Sequence, residues 1–178
     1  VVELHHVSLD SNGHVDVGHL EELLKQYPNA LISLMHANNE IGNLIDLKRV
    51  GELAKEHNAF FHSDTVQTMG HYVHNMKDLH VCGMTAAAHK FHGPKGVGFM
   101  YIRKDRKIEQ FIHGGAQERN MRGGTENVYG IIGIAKALEI AYREMNEHEQ
   151  HVKKLKARMI EKLKLNITGI LFNGDSAN

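Results

Sequence analysis

Lys90 stands in the stretch Ala87-Ala88-His89-Lys90-Phe91-His92-Gly93-Pro94-Lys95-Gly96, with small residues behind it, a histidine beside it and a glycine-rich turn ahead. Small neighbours leave room around the amine. A lysine at a close-packed, partly desolvated strand end condenses with an aldehyde more readily than one on a solvated helix face. Taken alone, Lys90 is an ordinary loop lysine. Its surroundings make it a candidate for carrying a cofactor as a Schiff base.

Asp64 is the second candidate, in His62-Ser63-Asp64-Thr65-Val66-Gln67, where an apolar stretch ends and a helix is expected to begin. A carboxylate there can pair with a protonated ring nitrogen. In pyridoxal phosphate such a partner keeps the pyridinium charged and the ring electron-withdrawing. Read by itself, Asp64 is equally an N-cap, and Gln67 is a solvated side chain. Read with Lys90, Gln67 lies where it could hydrogen-bond a ring hydroxyl.

These residues require strands to deliver them. Residues 1–9 are β-prone and end in the turn signal Ser11-Asn12-Gly13. A short helix is expected over 18–26 and a buried parallel strand over 30–35, with His36-Ala37-Asn38-Asn39-Glu40-Ile41-Gly42 on the loop beyond it. Leu47, Val50, Leu53 and Ala54 recur at helical spacing, and residues 59–63 form a strand that ends at Asp64. Residues 81–88 and 96–102 read as further strands about the Gly93–Gly96 turn. The alternation predicts an α/β fold with a mostly parallel sheet covered by helices, whose ligands gather at the strands' carboxyl ends. From 127 to 165 the chain reads as helical, with Ile131, Ile134, Ala135, Leu138 and Ala141 on one face and Val152, Leu155, Met159 and Leu163 spaced for burial. Residues 167–172 read as a strand opening a second domain. We therefore expect 1–140 to be part of a large cofactor-binding domain, and 141–178 the start of a smaller C-terminal α/β domain.

Lys plus Arg and Asp plus Glu both number 21 in 178 residues, so no net field draws the chain to nucleic acid or an anionic membrane. No long apolar run or leader marks it for export, and the expected location is cytoplasmic. The lone cysteine, Cys82, excludes an internal disulfide framework and reads as core. Fifteen histidines invite a metal site, but they are scattered without ligand spacing, so none is expected. The chain begins inside one apparent strand and stops just after another, which reads as a segment of a longer polypeptide.

The motifs around Asn39, Asp64 and Lys90, together with Arg122-Gly123-Gly124-Thr125-Glu126-Asn127, resemble in order those of the NifS-like cysteine desulfurases. These are class V members of the fold-type I pyridoxal-phosphate enzymes. The resemblance implies that Lys90 holds the cofactor and shuttles protons, and that Asp64 faces the pyridinium. It also implies that Asn39 and Gln67 bond the ring hydroxyl, that His89 serves the phosphate, and that Thr125 reaches the phosphate of the neighbouring subunit in a homodimer. The implied reaction converts L-cysteine to L-alanine, passing sulfur as an enzyme persulfide to an acceptor or iron-sulfur scaffold protein.

Two departures stand out. Ala87 occupies a position where the family commonly has a phosphate-binding serine or threonine; Thr85, two residues back on the same strand face, is a partial substitute. Ala116 replaces a common glycine. The ring-stacking histidine, the mobile-loop cysteine and the substrate arginine of the family have no counterpart here. Selenocysteine lyase or another class V enzyme would share every motif above. A non-catalytic homologue would draw support from Ala87.

Overall fold

The computed structural model describes residues 2–176; Val1, with which the expected first strand begins, lies outside them. Four five-residue strands form one sheet in the order β1 (Leu31–Met35), β2 (Phe60–Asp64), β3 (Gly83–Ala87) and β4 (Gly98–Ile102). The first three run parallel, and β4 returns antiparallel to β3. The mostly parallel α/β sheet predicted from the alternation is thus observed.

Helices α1 (Val17–Gln26) and α2 (Leu47–Glu56) cover one face of the sheet. Each starts on an aspartate that satisfies otherwise unpaired amides: Asp16 accepts from His19 N, and Asp46 from Lys48 N and Arg49 N. Leu20 and Leu24, with Leu47, Val50, Leu53 and Ala54, bury against Ile32, Phe61 and Met84. Phe61, Met84 and Leu53 are fully enclosed, and each contributes roughly 1.5–3 kcal/mol by burial. At Gly51 a Cβ would lie 1.9 Å from the Leu79 carbonyl oxygen, so only glycine lets α2 approach that closely. Cys82 is buried in this core, as its setting predicts.

Four expectations are corrected. Residues 2–8 form no strand; the first pairing is an isolated bridge between Leu9 and Val15, because no strand among the described residues pairs with the segment. No helix follows Asp64: residues 65–82 are turns and irregular chain, the first turn closed by Thr68 N and Met69 N on the Thr65 carbonyl. Residues 167–172 form no strand, lacking any partner strand among the described residues. Helix α4 (Val128–Asn166), after the short turn α3 (Gln117–Asn120), buries only Gly130 and Ile134. Ile131 and Ala135 are exposed, and so are Val152, Leu155 and Met159, which no buried apolar cluster among the described residues includes.

Among the described residues, no helix is long and apolar enough to cross a membrane.

Candidate active site

The carboxyl ends of three adjacent parallel strands supply the candidate residues. Beyond β1, Asn38 folds the loop back on itself: its Oδ1 accepts from Glu40 N (2.8 Å) and Ile41 N (3.0 Å), and its amide donates to the Asn43 carbonyl. Asn39 is left exposed at the tip, where its Nδ2 donates to Glu40 Oε1.

Asp64 ends β2, half-buried and level with Met35 on one side and Thr85 on the other. Its Oδ1 accepts from Val66 N at 2.9 Å. Gln67 lies on the next turn, half-buried.

Beyond β3 the chain enters a 3-10 turn, Ala88–Phe91, rather than continuing as a strand. Ala88 and Phe91 anchor it by burial beside Met69 and Ile134, and His89 and Lys90 project from between the anchors. The turn closes through Gly93 N on the Ala88 carbonyl, after His92 adopts a left-handed conformation (φ 66°). Gly93 is required by the fit against α4, since a Cβ there would meet Ala88 Cβ at 2.8 Å and Ala137 Cβ at 3.2 Å. His71 Nε2 lies 3.2 Å from the Lys90 carbonyl, and a groove of about 550 Å³ opens beside Lys90 between α4 and residues 70–72. The expected desolvated strand end is therefore corrected: Lys90 is exposed, because the turn lifts it off the sheet.

Thr85 points along the sheet instead of toward Lys90. Its Oγ1 is 3.5 Å from His62 Nε2, and His62 Nδ1 is 3.0 Å from Ser33 Oγ, so three polar side chains form a row across β1, β2 and β3. Burial pushes the His62 pKa down, opposed by the Asp64 charge. Thr125 is not brought to this cluster by any bond of its loop, which is tied internally by Gly123 N to the Ile112 carbonyl and Gly124 N to Gln117 Oε1.

The donor set is a primary amine, a carboxylate, two amides and an imidazole at neighbouring strand ends. That set suits an aldehyde cofactor with a basic ring nitrogen, a ring hydroxyl and a phosphate. No three histidine, cysteine or acidic side chains converge as a metal site among the described residues.

The class V aminotransferase family model matches residues 1–178. The chain belongs to that family. A cysteine desulfurase IscS of Dictyoglomus turgidum is 44% identical over 99% of this chain and 44% of its own length. A NifS-like protein of Rickettsia africae superposes with a TM-score of 0.87 at 34% identity, covering 94% of this chain and 49% of that one. A structure of SspA in complex with cysteine superposes with a TM-score of 0.72 at 32% identity, covering 76% and 39% respectively. The resemblance read from the four motifs is thereby borne out, and the chain spans about half the length of the relatives it matches.

One grouping of this class V chain was not foreseen. His36, Thr68 and His74 meet beneath the loops, with His36 Nδ1 2.8 Å from Thr68 Oγ1 and 3.2 Å from His74 Nε2. Residues 32 and 38 positions apart carry no periodic signal, so only the fold reveals the contact. In the sequence His74 is one of fifteen scattered histidines.

Proposed function

We propose that the protein containing this chain is a pyridoxal-phosphate-dependent cysteine desulfurase, which takes L-cysteine to L-alanine and hands the sulfur on as a persulfide. The supporting observation is the convergence of Asn39, Asp64 and Lys90 from the carboxyl ends of β1, β2 and the turn after β3. The similar IscS protein and the cysteine-bound SspA favour cysteine as substrate.

When bound, the cofactor supplies an electron sink for the substrate α-carbon. Lys90 Nζ would hold its aldehyde carbon and would move the substrate's α-proton. Asp64 Oδ2 keeps the ring nitrogen protonated through its negative charge. Gln67 and Asn39 would bond the ring hydroxyl, and His89 would serve the phosphate. Thr85 is a secondary phosphate candidate, and its hydroxyl's approach to His62 argues for a weak contribution. Thr125 serves the neighbouring subunit of a homodimer, a role that suits an exposed loop held by its own bonds.

Residues 1–140 act in this reading as part of the large domain, and 141–178 lead into the second. The enzyme works in the cytoplasm with a sulfur-acceptor or iron-sulfur scaffold protein. Ala87 favours one rival, a homologue that binds the cofactor poorly. Borohydride reduction of the full-length protein with pyridoxal phosphate, followed by peptide mass mapping, separates the two. A pyridoxyl group confined to Lys90 is expected; a folded protein without label would establish the rival.

A further inference from the structure

His36 joins the three segments that carry the candidate ligands. Its amide donates to the Asp64 carbonyl at 2.9 Å, and its carbonyl accepts from Ile45 N at 2.9 Å. The first bond ties it to the end of β2. The second closes the loop that bears Asn39. Its ring then reaches Thr68, the residue after Gln67, so that one side chain spans from the Asn39 loop to the Gln67 turn.

The contact is shielded: His36 is 9% exposed and Thr68 fully buried. Water cannot readily replace a bond lost there, and a buried polar group without a partner is costly. Thr68 Oγ1 lies 3.4 Å from both the Thr65 carbonyl oxygen and His74 Nε2, which makes it the hub of the cluster. His74 Nδ1 is buried without a hydrogen bond of good geometry, although the Tyr72 carbonyl nearby favours its protonated form. Burial, and secondly the neighbouring His74, push the His36 pKa down to about 4, so both rings pack as neutral groups. The Tyr72 ring meets His36 edge-on at 5.6 Å and closes the solvent side.

We infer that His36, Thr68 and His74 are positioning residues, which hold Gln67 and the Asn39 loop in fixed relation to Asp64. This rests on the cofactor reading above, because its value lies in the ring hydroxyl that Gln67 and Asn39 bond. A mispositioned pair changes the cofactor's electronic environment as well as its affinity. Mere support of the fold changes neither.

The test compares Thr68→Val, which keeps shape and removes the hydroxyl, with Thr68→Ser, which keeps the hydroxyl, in the full-length protein. Pyridoxal phosphate is titrated into cofactor-free protein while the visible absorption band and thermal midpoint are recorded. Thr68→Val is expected to weaken binding about tenfold and shift the band, whereas Thr68→Ser stays within about twofold of wild type. His74→Leu, at a half-buried position, is expected to move the band in the same sense, and it decides the matter if Thr68→Val does not fold. Wild-type affinity and band in the folded variants overturn the network alone. Failure of the wild type to take borohydride-fixed label at Lys90 overturns the cofactor reading, and the network's role with it.

Discussion

Thr85 stands level with Asp64 across the β2–β3 pairing, and its carbonyl oxygen accepts both the amide (3.0 Å) and the hydroxyl (2.8 Å) of Thr65. The residue after the candidate pyridinium partner is therefore clamped twice to the strand that leads to Lys90. Thr65→Val removes one of the two bonds in a fully buried setting. It should lower unfolding stability by about 1 kcal/mol. Urea denaturation checks this, and an unchanged midpoint would show the hydroxyl bond to be dispensable.

Replacing Asp64 by alanine removes the negative charge while leaving the β2 backbone pairing in place. Cofactor affinity should fall by roughly tenfold to a hundredfold, and the visible band of the complex should change, since a hydrogen-bonded charge is lost. Titration of cofactor-free protein measures both. An identical spectrum would remove Asp64 from its role.

Ala87 is the departure that gene replacement can reverse. Ala87→Ser places a hydroxyl on a half-buried strand residue one step before the Lys90 turn. Binding of pyridoxal phosphate should tighten by roughly fivefold to tenfold, about 1 kcal/mol. No gain would mean that the phosphate is held from elsewhere.

Stability should fall with acid in a defined window. An unfolded histidine titrates near its ordinary value of 6.5, whereas His36 in the fold titrates at about 4. Between those values the unfolded chain binds a proton that the folded chain refuses. The contribution is thus complete above the unfolded pKa and is lost as pH falls toward the folded one. His62 and His74, both shifted down chiefly by burial, act in the same direction. Allowing for residual water around the ring, His36 accounts for about 1–2 kcal/mol. Urea midpoints measured from neutral pH down to about pH 5 should decline in the wild type and decline less in His36→Gln.

The elements that bear chemistry were legible because each rests on a local pattern. Leu47, Val50, Leu53 and Ala54 mark α2 by their spacing, and the apolar stretches before Asn39, Asp64 and Lys90 mark three strands whose exits carry polar groups. Failures came where pairing, not pattern, decides. Residues 2–8 and 167–172 have strand composition, yet a strand needs a neighbour to complete its hydrogen bonds. The helix expected after Asp64 is cut to a single turn: Met69 N still bonds the Thr65 carbonyl in the helical manner, but Gly70 (φ 82°) redirects the chain. Lys90 was identified by its neighbours, but its exposure was not, since a 3-10 turn after a strand has no strong compositional mark.

Helix α4 packs against the Lys90 turn and residues 69–70 through its first four turns, where Gly130 and Ile134 are buried, Gly133 passes close to Pro94, Ala137 and Ala141 face Gly93 and Gly70, and Tyr142 reaches Met69. The remaining span, from Tyr142 to Asn166, is ~36 Å long at the usual helical rise. It is a lever with its fulcrum beside the Lys90 turn. A tilt of about 5° at that fulcrum displaces the far end by ~3 Å, so a body seated on the distal half would swing relative to Lys90 while the sheet beneath stays still.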